Sequence, residues 1–148
     1  MRKFLLDTTV LSRLCYPFRE ENRDLIRWFD AFSRDDDLLF LPEIVDYETR
    51  RGLLHIALRS GQSTTRSLRH LDELGQVMTY VPLTTSAMRR SAHLWAEARI
   101  IGFPTGPSID ADTILAAQAL EISGAVVTDN LRHLGRFVPS YRWQDIPL

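Results

Sequence analysis

Five acidic residues stand where an α/β protein would put them to use. Asp7 ends the apolar run Lys3-Phe4-Leu5-Leu6. Glu48 lies a few residues beyond a second apolar run, Leu38 to Leu41. Asp110 and Asp112 open a helical stretch, and Asp129 follows Ala125-Val126-Val127-Thr128. Several carboxylates crowded together repel one another and stay ionised only with a counter-cation. Magnesium and manganese prefer oxygen ligands, and magnesium usually keeps several waters. A bound ion can lower the pKa of a water, orient it for in-line attack and stabilise charge on phosphate oxygens. The chemistry that wants such a set is metal-assisted phosphodiester hydrolysis.

Each acid also has a plainer structural reading. Asp7 is placed to cap a following helix, a role compatible with metal binding. Glu48 has Arg50 and Arg51 in reach on a solvated face, although Ile44 and Tyr47 beside it suggest a partly buried one. Asp110 and Asp112 suit the start of a helix, where the dipole favours negative charge, and Asp129 suits a turn. The order and placement of the set carry more than any one member.

The elements that must position these residues follow from periodicity. Residues 3–6 read as a short buried strand. Asp7-Thr8-Thr9 offers side-chain oxygens for an N-cap, with Val10, Leu11 and Leu14 at helical spacing behind it. A second helix is predicted over 20–33, with Leu25, Trp28, Phe29 and Phe32 on one face. A strand over 38–41 leads to Pro42, which fits the first turn of a helix running to about residue 58. Residues 61–65 break the pattern. A helix then carries Leu68, Leu71 and Leu74 with Gly75 near its end, and a strand is predicted over 77–81. Thr84, Thr85 and Ser86 can cap a long helix through Arg99 that turns Met88, Ala92, Trp95 and Ala98 inward. Residues 102–108 hold two prolines and two glycines and read as a loop. A helix over 110–120, a strand over 125–128, a short helix near Asn130 and a last strand over 141–143 complete the order. Strands alternating with helices argue for an α/β fold with a parallel sheet. Ligands of such sheets bind beyond the carboxyl ends of the strands, where these acids fall.

Composition sets the outer limits. The 148 residues suit one domain spanning 1–148, and 45% hydrophobic with 25% charged residues is ordinary for a globular chain. A chain of this length buries roughly 70% of its unfolded surface, so a core needs neither disulfide nor structural metal. Cys15 is the only cysteine, which excludes an internal disulfide and a cysteine zinc site. No apolar run reaches the ~20 residues that span a bilayer. A cytoplasmic protein with no membrane association is the expectation. The net charge of −1 gives no global pull toward nucleic acid. His55, His70, His93 and His133 fit no zinc motif, and neither GxxxxGK nor GxGxxG occurs.

Four segments resemble PIN-domain proteins, and among them the VapC-type toxins of bacterial toxin–antitoxin modules. Phe4 to Ser12 looks like the family's opening strand with its first acidic residue. Leu41 to Gly52 looks like its glutamate-bearing helix, and aligns Glu48. The run Asp110-Ala111-Asp112-Thr113-Ile114-Leu115-Ala116-Ala117 resembles the family's aspartate followed by an apolar pair and two alanines, which selects Asp112. Val126 to Asn130 resembles the closing strand and its polar turn. Two departures stand out. The family often has Asn or Ser where this chain has Thr9, and its fourth acidic position falls on Asn130, leaving open whether Asp129 or Asn130 faces an ion.

The resemblance implies a three-layer α/β/α domain with a central parallel sheet. It also implies a magnesium- or manganese-dependent endoribonuclease that forms homodimers and is controlled by a small antitoxin inserted near the active site. Asp7, Glu48 and Asp112 are then the expected metal ligands, with Asp129 beside them in catalysis. Thr8, Asp110, Thr128 and Asn130 are expected further polar contacts. The competing reading is a PIN-like module that binds RNA or protein without chemistry. A haloacid-dehalogenase-type phosphatase would want an acid at Thr9, and both it and a receiver domain would want a late lysine, whereas Lys3 is the only lysine. If the apolar faces of Trp28, Phe29, Phe32 and Tyr47 exceed one small core, whichever is left exposed would mark an interface.

Overall fold

The computed structural model describes residues 1–32, 38–103 and 109–147. The sheet is built on β1 (Lys3–Leu6), whose Phe4, Leu5 and Leu6 are all buried. A run apolar on successive residues has no solvent face, as expected for a central strand of a parallel sheet. β1 lies between β2 (Leu38–Pro42) and β4 (Ala125–Val127). β3 (Thr79–Val81) and β5 (Ser140–Tyr141) form the edges, giving the order β3-β2-β1-β4-β5 with every pair parallel. The register aligns Leu5 with Phe40 on one side and with Val126 on the other. The chain winds outward from β1 through β2 to β3, then crosses back to β4 and β5. Helices joining parallel strands in this order give the α/β arrangement expected from the sequence, and right-handed crossovers, the general rule, would put the helices of the two halves on opposite faces. The point where winding reverses lies between β1 and β4, where α/β sheets open a crevice.

Seven α-helices join the strands among the described residues. They are α1 (Thr8–Leu14), α2 (Arg23–Phe32), α3 (Glu43–Arg59), α4 (Arg66–Val77), α5 (Thr85–Ile100), α6 (Ile109–Glu121) and α7 (Leu131–Leu134). Asp7 caps α1, Thr65 caps α4 and Thr84 caps α5, each side-chain oxygen accepting from a backbone N–H of the first turn. One core runs across the sheet. Phe32 of α2 stands edge-on to Phe4, with ring centroids 5.5 Å apart, and Trp28 packs on Trp143. Among the described residues no helix is long and apolar enough to cross a membrane.

Several boundaries differ from the sequence reading for identifiable reasons. The helix predicted from residue 20 begins as a 3-10 turn, Glu20–Asn22, and becomes regular at Arg23. The buried Asn22 amide donates to the carbonyls of Arg13 and Tyr16, which fixes this entry against α1. Ser33, at the predicted end, lies outside the described residues. Pro42 is the last residue of β2 and the cap position of α3 instead of its first helical residue. Val77 remains in α4, so β3 starts only at Thr79. At the other edge, Trp143 opens a 3-10 turn instead of ending β5. Of the predicted 102–108 loop, only Gly102 and Phe103 are among the described residues. Gly102 takes φ +68°, a conformation that suits glycine.

The largest correction concerns α5. Its buried residues are Ala87, Ser91 and Ala98; Met88 and Ala92 are exposed and Trp95 is half-buried. α5 packs chiefly on α6, itself rich in alanine, and small residues on the facing sides let two helices approach closely. Ser91 Oγ donates to Thr113 Oγ1 across this contact. The bulky Met88 and Trp95 are therefore left at its rim.

Gln118 joins the parts of the fold that carry the acidic residues. Fully buried on α6, it accepts from Ile44 N–H in the first turn of α3 at 3.3 Å and donates to the Val81 carbonyl at 2.9 Å. Pro42, aligned with Val81 in the sheet, has no N–H to offer. Gln118→Leu would keep the volume and abandon both backbone groups inside the protein. The expected loss is about 2–4 kcal/mol in urea unfolding, from two uncompensated polar groups. A loss below about 0.5 kcal/mol would show that the two backbone groups find other partners.

Candidate active site

Asp7 sits where β1 becomes α1, and local structure makes its carboxylate an acceptor. Its extended backbone (φ −81°, ψ 162°) places the side chain over the first turn of α1. Thr8 N–H donates to Oδ1 at 2.6 Å. Thr128, at the end of β4, donates through its hydroxyl to Oδ2 at 2.7 Å, and Thr9 Oγ1 donates to the same oxygen at 3.2 Å. Both hydroxyls are fixed from behind, because Asn130 N–H donates to Thr128 Oγ1 and Asp129 N–H donates to Thr9 Oγ1. The turn after β4 is thereby tied to the turn after β1.

Glu48 reaches the same place from α3. Thr8 Oγ1 donates to Glu48 Oε1 at 2.9 Å, and Arg51, one turn further on, lies 3.6 Å from Oε2. Of the two arginines in reach, Arg51 is the partner. Arg50 pairs instead with Asp46 and Asp72. Glu48 is partly buried, as expected of its face, with Ile44 buried on the inner side and Tyr47 exposed at 57%. Asp112 arrives from the first turn of α6.

These side chains line one cavity of about 230 Å³, formed by Asp7, Thr8, Thr9, Glu48, Asp112, Asn130, His133 and Leu134. Three carboxylates from three separate elements thus share its walls. As placed they are not drawn together: among the described residues no group of three or more His, Cys, Asp or Glu side chains stands at metal-binding spacing. The donor set is nevertheless of one kind, carboxylate, hydroxyl and amide oxygen, which suits a hard divalent cation.

The other sequence candidates separate cleanly. Asp110, two residues before Asp112, lines a groove with Met88 and Trp95 on the α5 side, because residues two apart on a helix point in different directions. Thr128 holds Asp7 from behind the cavity. Asp129 turns away, its carboxylate 3.3 Å from Arg13, while Asn130 lines the cavity. Arg13 is itself held by Asn22 Oδ1 and the Glu21 carbonyl, so it presents a fixed cation to Asp129. Thr9, which the sequence marks only as a cap oxygen and a departure from the family pattern, lines the cavity, as does His133, which sequence reasoning did not single out. His133 lies three residues after Asn130, one helical turn, and that spacing was a usable signal.

Electrostatics reflect crowding. Burial pushes the Asp7 carboxyl above its ordinary value, against the pull of its bonds from Thr128, Thr8 and Thr9, and the charge of Asp129 adds to the rise. Burial also raises Glu48; the Thr8 bond opposes this, the Asp7 charge reinforces it and Arg51 opposes it. Burial thus works against ionisation of both acids, and the Asp7 charge makes that of Glu48 harder still.

Residues 4–136 match the family model of the PIN domain, and the chain belongs to that family. Its fold is similar to that of a chain of VapBC2 from Rickettsia felis, solved bound to a DNA fragment from the promoter. The two share 14% identity over 95% of this chain and 98% of that one, with a TM-score of 0.71. DNA-bound VapBC from Salmonella typhimurium gives 23% identity over 97% and 99% of the chains and a TM-score of 0.67. FitAcB from Neisseria gonorrhoeae gives 21% over 97% and 99%, with a TM-score of 0.70. A search of curated protein sequences returned no match.

The raised values define a pH test. The folded chain retains protons on Asp7 and Glu48 that the unfolded chain releases near 3.8 and 4.5. The stability this contributes is full below those values and is lost as pH rises through the higher folded values. In EDTA, the stability of the wild type relative to Glu48→Gln should therefore fall as pH rises from about 4 toward neutrality. Urea unfolding across that range checks the slope, and a difference that does not change with pH would contradict it.

Proposed function

We propose that this chain is a divalent-metal-dependent endoribonuclease, the toxin of a VapC-type toxin–antitoxin module, and that residues 1–148 act as one nuclease domain. The observation that carries the reading is the single cavity walled by Asp7, Glu48 and Asp112, at the carboxyl end of the sheet. Membership of the PIN family supports nuclease chemistry, and the similar folds from VapBC and FitAB complexes support an antitoxin partner.

In this reading Asp7, Glu48 and Asp112 hold a magnesium or manganese ion. Such an ion supplies an activated water and balances charge on the phosphate. The chain's own residues prepare the place. Thr128 and Thr9 hold the Asp7 carboxylate with fixed hydroxyls, and Thr8 bridges it to Glu48. Asn130 adds a neutral polar group to the cavity wall. Arg13 keeps Asp129 pointed away, so we assign Asp129 a role in the field around Asp7 and not in contact with the reacting atoms.

Asp7→Asn and Asp112→Asn should each reduce magnesium-dependent RNA cleavage at least about 100-fold, the scale of losing one charge-stabilising group at a reacting centre. Circular dichroism should show both variants folded. Wild-type cleavage by folded Asp112→Asn would remove that residue from the site. Absence of metal-dependent cleavage in the wild type, with RNA binding retained, would favour the non-catalytic module.

The assembly has its own test. The exposed Tyr47 stands beside Glu48, with the Arg51 guanidinium 5.1 Å from its ring centre. We assign this surface to contact with a second copy or the antitoxin. Sedimentation should find a dimer of the chain alone and a larger complex with the product of the neighbouring gene, which should also inhibit cleavage. A monomer whose activity that product leaves unchanged would contradict both.

A further inference from the structure

A second cavity, also of about 230 Å³, adjoins the carboxylate cavity and differs from it in charge. It is lined by Phe103, Arg132, His133 and Arg136, and His133 belongs to the walls of both. Arg132 and His133 lie on α7 and Arg136 just beyond it, while Phe103 comes from the end of the α5 connection. The Arg136 guanidinium stacks on the Phe103 ring with its carbon 3.7 Å from the ring centre. Phe103 in turn packs on Phe137, with centroids 5.8 Å apart. Among the described residues, no carboxylate pairs with Arg132 or Arg136. Most other arginines near the active cavity are engaged: Arg13 by Asp129, Arg50 by Asp46 and Asp72, Arg51 by Glu48.

We infer that Phe103, Arg132, His133 and Arg136 form a binding subsite for an RNA phosphate next to the proposed cleavage cavity. The inference rests on the nuclease reading and adds to it where the substrate backbone is held. A net charge of −1 gives the chain no overall attraction for a polyanion, and the three carboxylates repel one locally. A strand drawn to those carboxylates needs cations beside them. Arg132 and Arg136 supply guanidinium forks suited to phosphate oxygens. Stacking on Phe103 holds the Arg136 plane in one orientation before substrate arrives, which lowers the entropy lost on binding. The outer face of that plane can also stack against a base, as single-stranded RNA permits. The shared wall at His133 makes the two cavities neighbours along one strand path.

The test measures affinity apart from cleavage. In an Asp7→Asn background, fluorescence anisotropy with a labelled mixed-sequence single-stranded RNA would compare Arg132→Gln, Arg136→Gln and Arg136→Lys. Each Gln variant should weaken binding about tenfold and reduce the slope of log affinity against log salt by about 0.7, one phosphate contact on a single strand. Arg136→Lys, which keeps charge and loses the planar stack, should fall between wild type and Arg136→Gln. With Asp7 intact, the Gln variants should raise KM and leave kcat near wild type, the sign of binding made equally in ground and transition states. Unchanged affinity, salt slope and KM in folded Gln variants would overturn the subsite while leaving cleavage, and so the nuclease reading, in place. That outcome would also fit a cavity that takes an acidic peptide. RNA binding that depends on these arginines, in a wild type that cleaves nothing, would sustain the subsite and remove the nuclease reading.

Discussion

The Asp7 carboxylate is buried at the carboxyl end of the central strand, and three donors converge on it: Thr8 N–H, the Thr128 hydroxyl and the Thr9 hydroxyl. Much of the local structure follows from that arrangement. The Thr8 bond starts α1, and the Thr128 bond fixes the turn after β4 against the turn after β1. The Thr8 hydroxyl then connects the same point to Glu48 on α3. Burial works against ionisation of Asp7 while the donors favour it. A carboxylate held between those opposing effects is costly for a purely structural cap and suited to a cation.

The remaining helices bring the other carboxylates to this point. Gln118 binds α6 to the first turn of α3 and to the end of β3, so the helices bearing Glu48 and Asp112 share one buried connector. The Ser91–Thr113 bond fixes the start of α6 against α5. Beyond the acids, the cavity wall continues through His133 into the cationic one at Arg132 and Arg136. A negative pocket with an arginine-rich neighbour is the charge pattern an anionic polymer needs if its backbone is to be cut at bound metal.

How much of this was legible in the sequence depended on the range of the interaction. Strand ends and helix starts, which follow from hydrophobic runs and caps, bring Asp7, Glu48 and the pair Asp110 and Asp112 into view; the resemblance to PIN domains, not position, singles out Asp112 of that pair. The alternation of strands and helices gave the parallel sheet in the same way. The choice between Asp129 and Asn130 was not legible. It turns on Arg13, which lies 116 positions away and is itself oriented by Asn22. The packing of α5 was misread because Met88 and Trp95 are large and apolar, yet close approach to α6 is set by Ala87, Ser91 and Ala98. Of the four aromatics that could outgrow one core, Tyr47 is the one left exposed, and the sequence does not say which, because a ring on a helix is buried only where an element covers it. The arginines of the second cavity were hidden among many others, since pairing, which no local pattern records, separates engaged guanidiniums from available ones.

If Asp7, Glu48 and Asp112 share one divalent ion, as proposed, that ion can be located. Diffraction from crystals grown with manganese, collected at the manganese absorption edge, tests this directly. An anomalous peak is expected inside the cavity, about 2.0–2.3 Å from an Asp7 oxygen, with Glu48 and Asp112 bound directly or through the ion's waters. A crystal saturated with manganese and showing no peak there, or showing one held by other residues, would contradict the proposal.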